Sequence, residues 1–179
     1  DSGKILFQGK DITNLSIEKR ANLGISYAFQ QPVKFKGMTV FDLLRIASKK
    51  DITKKEACNI LSKVGLCAKE YVDREVNGSL SGGEIATVAV RKTKLTIFDE
   101  PEAGIDLWSF SNLIEIFENI NEIVKGTTLI ISHQERILEI ADKVILMKQG
   151  KIEKIETSEE FLKNNISKTC CKIKKCKSL

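Results

Sequence analysis

The 179-residue sequence predicts an α/β fold, in which helices cover a parallel β-sheet and a small all-helical segment is inserted. Two short apolar runs, 95–98 and 128–131, have the length and composition of strands buried on both faces of a sheet. The segment between them, roughly 109–124, repeats its apolar residues with the period of a helix. Strand, helix and strand in alternation are typical of the α/β class.

The N-terminal half supplies two further strands and the helical insert. Residues 4–9 predict a strand that ends in a turn, and 24–30 predict a second strand. The period becomes helical from Thr39 to about Cys67, and Thr53 is the expected N-cap of the second helix in this stretch.

The C-terminal third predicts a short helix over 135–141, followed by a hairpin that closes the fold. In this hairpin the runs 143–148 and 151–155 flank a turn at Gln149 and Gly150. We expect four segments: a first part of the α/β core over 1–38, a helical subdomain over 39–79, the remainder of the core over 80–156, and a C-terminal helix with a tail over 157–179.

Composition and charge exclude several classes of protein. The chain is 42% hydrophobic and 30% charged, without a signal-peptide pattern or an apolar run long enough to cross a bilayer. Its net charge of +5 becomes −1 when the six lysines of 163–179 are set aside, so the body has little electrostatic support for binding nucleic acid. Five irregularly spaced cysteines argue against a secreted disulfide scaffold and favour a reducing, cytoplasmic setting.

The tail itself favours a solvated, disordered terminus. Three of its side chains are thiols, at Cys170, Cys171 and Cys176, but their spacing matches no standard set of metal ligands.

Two adjacent carboxylates, Asp99 and Glu100, follow the apolar run 95–98. Strand ends at the carboxyl edge of a parallel sheet are where α/β folds bind ligands. An aspartate in this place helps to hold Mg²⁺ in nucleotide hydrolases, and the next carboxylate can polarise an attacking water. Taken alone, the pair also fits an ordinary strand end before Pro101.

Three other patterns are compatible with phosphate chemistry, although each also fits a purely structural role. Ser81, Gly82 and Gly83 open a potential helix, where backbone N–H groups can approach a phosphate. His133, the only histidine, follows the strand 128–131 and can donate a hydrogen bond near neutral pH. Gln30 ends a strand and offers an amide oxygen to Mg²⁺ or to a water.

Their order along the chain resembles the back half of an ATP-binding-cassette ATPase, a family with a P-loop NTPase-like core. Gln30 resembles its Q-loop, Leu80–Glu84 its signature motif, 96–100 its Walker B motif and His133 its switch histidine. Asp106 lies in a segment similar to its D-loop, and the resemblance covers roughly residues 1–156.

The resemblance implies ATP and Mg²⁺ as ligands and a role for each motif. Asp99 and Gln30 would hold Mg²⁺, Glu100 would be the catalytic base, and His133 would contact the γ-phosphate. Members of the family pair head to tail, so Ser81, Gly82, Gly83 and Glu84 would face a nucleotide that is bound to a second ATPase subunit.

One expected motif is missing from these 179 residues. No G-x-x-x-x-G-K-[ST] phosphate loop occurs, and Ser2-Gly3-Lys4-Ile5 is not one, because Ile5 has no hydroxyl for Mg²⁺. Since the first methionine is Met38, we expect the chain to be a fragment, an incomplete gene product or a chain recorded without its beginning. Because the phosphate loop is missing, we expect it to be inactive as given.

The flanks of two motifs indicate a narrower resemblance. Residues 72–77 and 134–138 are similar to SufC-type ATPases of iron–sulfur cluster assembly, which work with SufB- and SufD-type scaffold proteins. The alternatives are a nucleotide-binding subunit that pairs with the transmembrane subunits of a transporter, and a non-catalytic, degenerate fragment.

Overall fold

The computed structural model describes residues 2–30, 35–76, 91, 93–103, 107–123 and 125–164. The chain divides into two compact units, Asp1–Ile131 and Ser132–Leu179. The expected signature helix and the Lys- and Cys-rich tail lie outside the described residues.

The first unit has a central sheet of three parallel strands in the order β3-β4-β5, together with a small hairpin and five helices among its described residues. The predicted α/β class is therefore confirmed. Its strands are β1 Leu6–Phe7, β2 Lys10–Asp11, β3 Ile25–Ala28, β4 Leu95–Asp99 and β5 Thr127–Ile131. Its helices are α1 Ile17–Asn22, α2 Val40–Ser48, α3 Lys54–Lys63, α4 Ala68–Tyr71 and α5 Leu107–Ile123.

The register of the sheet brings the strand ends to one edge. Ala28 of β3 pairs with Phe98 of β4, and Asp99 pairs with Ile131 of β5. Because all three strands are parallel, the residues that follow them emerge at the same carboxyl edge. The polar residues predicted at strand ends in this unit therefore come together.

Strand β4 is the packed centre of the sheet. Phe98 is fully buried and meets the ring of Phe117 on α5 at a centroid distance of 5.0 Å, in an edge-to-face arrangement. Thr96 is also buried, and its hydroxyl shares a 2.6 Å hydrogen bond with that of Thr93. This shared bond satisfies both hydroxyls inside the core.

Strand β5 corrects the prediction of a strand buried on both faces. Its side chains alternate between exposed and half-buried, and Leu129 and Ile131 are 41% and 45% exposed. An apolar run fixes the type of element, whereas burial depends on which elements cover the strand. No described residue of this unit pairs with the second edge of β5.

The helical insert owes its geometry to two capping boxes. At the start of α2, the Thr39 hydroxyl accepts a hydrogen bond from the backbone of Asp42, whose carboxylate accepts from the Thr39 backbone N–H. Thr53 and Glu56 repeat this exchange at the start of α3, which confirms Thr53 as the N-cap. The helices bury a shared apolar set: Val40, Leu44, Ala57, Leu61 and Val64.

The segment 72–76 closes this insert. Backbone N–H groups of Val40 and Phe41 donate to the carbonyl oxygens of Arg74 and Val72, so the segment satisfies the first turn of α2. Val72 and Val76 are buried, and Lys54 forms a 2.7 Å ion pair with Asp73. The flank that resembles SufC-type ATPases therefore has a structural role in this fold.

Sequence patterns were less informative before residue 24. The strand expected over 4–9 is only the two-residue β1, paired antiparallel with β2. Helix α1 was not predicted, although Ser16 is its N-cap and accepts a hydrogen bond from the Lys19 N–H. Its six residues include an exposed Ile17 and carry no buried side chain, so no apolar stripe marks the helix.

The second unit contains the predicted short helix and hairpin. Helix α6 spans Glu135–Glu139, and strands β6, Lys143–Lys148, and β7, Lys151–Thr157, pair antiparallel. A last helix, α7, covers 158–164. The Ser158 hydroxyl donates to the Leu138 carbonyl oxygen, which links the start of α7 to α6. Within the described parts of both units, no helix is long and apolar enough to cross a membrane.

Candidate functional site

Asp99 and Glu100 lie at the carboxyl edge of the central sheet, as the sequence predicted. Both are half-buried. The Glu100 N–H donates to the Ile131 carbonyl oxygen at 2.9 Å, and the Glu100 carbonyl accepts from Ala103 at 3.0 Å, which closes a tight turn around Pro101. Glu100 has a backbone φ of 45°, in the left-handed region that disfavours side chains.

Gln30 reaches this edge from the exit of β3. Its amide nitrogen donates to Oε2 of Glu100 at 2.5 Å. The parallel register explains the meeting, because β3 and β4 leave the sheet side by side. Gln30 is thus brought to Asp99 and Glu100, although it precedes them by about 70 residues in the chain.

Tyr27 belongs to the same cluster and was missed by sequence reasoning. Its hydroxyl donates to Oδ2 of Asp99 at 2.7 Å. This hydrogen bond raises the pKa of Tyr27 above its ordinary value, with smaller contributions from desolvation and the Asp99 charge. The phenol is therefore a protonated donor at neutral pH. The parallel pairing of β3 with β4 was the signal that could have revealed it.

The donor set fits a small hard cation. Mg²⁺ is usually held in proteins by one or two carboxylates, with water and phosphate completing its shell. Asp99 supplies a carboxylate and Gln30 supplies an amide oxygen, while the Gln30 amide nitrogen donates to Glu100. These residues would hold the ion, which would neutralise phosphate charge.

His133 lies in the second unit, in the short connection between β5 and α6. It is exposed, and beside it the Ser132 hydroxyl accepts a hydrogen bond from the Gln134 N–H at 3.0 Å. Its predicted contact with the γ-phosphate stays a prediction. Four of the predicted site residues, Ser81, Gly82, Gly83 and Glu84, lie outside the described residues, as does Asp106.

Residues 1–103, more than half of the chain, match the ABC transporter family, ABC_tran. The chain belongs to the ABC transporter ATPase family. An uncharacterised ABC transporter ATP-binding protein of Methanocaldococcus jannaschii is 34% identical to it over 162 residues, which are 84% of this chain and 64% of that protein.

Two further proteins extend the comparison. The probable ATP-dependent transporter ycf16 of Cyanidium caldarium is 33% identical over 178 residues, covering 89% of this chain and 69% of its own length. The solved ATP-binding cassette MJ1267 of an ABC transporter superposes with a TM-score of 0.71 at 28% identity, and the match covers 93% of this chain and 74% of that one.

Family membership identifies the fold and the general chemistry of the family. The ABC fold is confirmed, and the family as a whole binds and hydrolyses ATP with Mg²⁺. This chain spans 64% of the length of the Methanocaldococcus relative.

Proposed function

We propose that this chain is the ATP-binding and ATP-hydrolysing subunit of an ABC assembly, and that it is most similar to SufC-type ATPases. The proposal of ATP hydrolysis is supported mainly by the cluster at the carboxyl edge of the sheet, where Gln30 contacts Glu100 beside Asp99. An amide that follows β3 and two adjacent carboxylates at the end of β4 supply a cation site and a general base at one edge of the sheet.

In the proposed reaction a water attacks the γ-phosphorus of ATP in line with the bond to the β-phosphate oxygen. That bond breaks, ADP and phosphate leave, and Glu100 takes a proton from the water. Asp99 and Gln30 hold the cation, whose charge offsets that of the phosphates. Because His133 resembles the switch histidine of ABC ATPases in sequence, it would contact the γ-phosphate.

The left-handed backbone at Glu100 and its two backbone hydrogen bonds fix where this carboxylate leaves the strand. The contact with Gln30 holds Oε2 in the resting state. Much of the catalytic work in phosphoryl transfer is such positioning.

The complete nucleotide site would be formed by two subunits. The segment Ser81–Glu84 would face a nucleotide that is bound to a second ATPase subunit paired head to tail. Because these 179 residues hold no phosphate loop, two identical copies would supply signature motifs without a cradle for the triphosphate.

We therefore expect negligible ATPase activity from this chain alone. Phosphate release from purified chain should equal that of the Glu100→Gln variant and of buffer. Robust turnover that Glu100→Gln abolishes would contradict this expectation and would show that the chain completes the site without the missing loop. The coding DNA upstream of Asp1 separates an ATPase from a degenerate fragment, since an intact G-x-x-x-x-G-K-[ST] there favours the ATPase.

The narrower assignment depends on partners. We place the protein in the cytoplasm with SufB- and SufD-like scaffold proteins, on the strength of residues 72–77 and 134–138. A nucleotide-binding subunit of a membrane transporter is the second candidate, since the Methanocaldococcus relative is named an ABC transporter ATP-binding protein. Co-purification from the native cell decides between them: soluble scaffold proteins support the first, and polytopic membrane subunits support the second.

A further inference from the structure

We propose that Tyr27 is a positioning residue, which orients the Asp99 carboxylate for the cation. This inference rests on the proposed function, because it assumes that Asp99 is a ligand of Mg²⁺. Its starting observation is the 2.7 Å hydrogen bond from the Tyr27 hydroxyl to Oδ2 of Asp99, which connects two neighbouring strands of the sheet.

The sheet register explains why a long side chain is needed at this position. Tyr27 pairs with Ile97, and Asp99 lies two residues further along β4. Because side chains alternate between the two faces of a strand, Ile97 and Asp99 share a face, and Tyr27 lies on that face beside them. A side chain that reaches forward by two residues can meet Asp99, and serine or threonine would be too short.

Phe29 supports the orientation of the Tyr27 ring. The two rings lie on the same side of the chain, with centroids 4.8 Å apart and planes tilted by 57°. Both rings are substantially exposed, 44% for Tyr27 and 57% for Phe29, so their burial accounts for little stability. A tyrosine rather than a smaller polar residue is therefore better explained by its hydroxyl contact than by packing.

A tyrosine hydroxyl is a suitable hydrogen-bond donor to a carboxylate that binds a cation. A carboxylate bound through one oxygen rotates about its last single bond, and a hydrogen bond to Oδ2 fixes the plane and the direction of the second oxygen. A neutral phenol does this without cancelling the negative charge that attracts the cation, whereas a lysine or arginine would compete with it. Partners of this kind typically change metal affinity by about 10- to 100-fold.

The test measures Mn²⁺ binding to the full 179-residue chain, without nucleotide, from the electron paramagnetic resonance signal of the unbound ion. Tyr27→Phe removes only the hydroxyl, and we expect it to weaken Mn²⁺ binding by about ten-fold. Tyr71→Phe is the matched control, because Tyr71 is the only other tyrosine and its ring lies against Arg74 in the helical insert. We expect wild-type affinity for this control.

Two further variants separate positioning from a structural effect. Asp99→Asn should remove most of the binding, and Tyr27→Phe added to Asp99→Asn should change nothing more. Thermal unfolding without metal should be similar for Tyr27→Phe and the wild type.

Each remaining outcome contradicts a specific claim. Wild-type affinity in Tyr27→Phe, with binding reduced in Asp99→Asn, would overturn the positioning role and leave the proposed function intact. An equal loss from Tyr27→Phe in both backgrounds would also overturn it. If the wild-type chain binds no Mn²⁺, or Asp99→Asn binds it normally, the cation site of the proposed function is wrong and the role of Tyr27 is wrong with it.

Discussion

The left-handed backbone of Glu100 provides a prediction that does not depend on any ligand. At a φ of 45° an L-residue brings its Cβ close to the backbone, at a cost of roughly 1–2 kcal/mol, and glycine avoids this cost. We therefore compare Glu100→Gly with Glu100→Ala. Both variants lose the carboxylate, but only the glycine variant also loses the Cβ.

The expected difference follows from two opposing contributions. Glycine relieves roughly 1–2 kcal/mol of strain in the folded state. Its more flexible unfolded chain costs about 0.4–1 kcal/mol relative to alanine. Glu100→Gly should therefore be more stable than Glu100→Ala by about 0.5–1 kcal/mol, or roughly 2 °C in melting temperature for a chain of this size.

Urea and thermal unfolding of the two variants measure this difference. Lys49 calibrates it, because it has a φ of 54° at the C-cap of α2, away from the carboxylates. Lys49→Gly should likewise exceed Lys49→Ala in stability. If Glu100→Ala is as stable as Glu100→Gly while the Lys49 pair behaves as expected, the strain at Glu100 is refuted.

Three other perturbations test the packing and capping that hold the site. Gly126→Ala should destabilise the chain by about 1–3 kcal/mol in urea unfolding, because a Cβ at this position would lie 2.4 Å from the Thr93 carbonyl oxygen; unchanged stability would contradict the close approach. Phe98→Ala should cost about 3–5 kcal/mol, since it removes a fully buried ring and its contact with Phe117, and a loss below about 1 kcal/mol would mean that this core is loosely packed. The Glu56 carboxylate accepts hydrogen bonds from the backbone N–H of Thr53 and, with a smaller effect, from its hydroxyl, and these bonds lower the pKa of Glu56 below 4.5. The stability that the ionised carboxylate adds to the fold is therefore present above pH 4.5 and is lost as the pH falls through the lowered pKa. As the pH is lowered, the urea midpoint of Glu56→Gln should therefore fall less than that of the wild type. Identical pH profiles for the two proteins would show that Glu56 makes no such contribution to stability.

Sequence reasoning succeeded where local chemistry determines the structure. Thr53 was predicted as an N-cap because a threonine precedes a helical apolar period, and the structure shows its complete capping box. Asp99 and Gln30 were predicted at strand ends, and parallel pairing alone is enough to bring such positions to one edge. Gln30, Asp99 and Glu100 thus meet because strand type and direction were correctly inferred.

The pairing of residues between strands, and the burial of each strand by other elements, were harder to infer from the sequence. The contact between Tyr27 and Asp99 spans 72 positions and depends on which residue of β3 faces Ile97. Nothing in either strand alone encodes that pairing. The exposure of Leu129 on β5 was mispredicted for a related reason, because an apolar side chain is buried only where another element covers it.

We propose that the edge formed by Gln30, Asp99 and Glu100 is the cation and catalytic site of an ABC ATPase. Paramagnetic broadening by Mn²⁺ without nucleotide, recorded on the backbone amide signals of the isotope-labelled chain, tests this site residue by residue. We expect the amides of these three residues to broaden first while that of Lys49 stays sharp, and we expect Asp99→Asn to suppress the effect. Broadening that centres elsewhere in the chain, or that persists unchanged in Asp99→Asn, would contradict the claim.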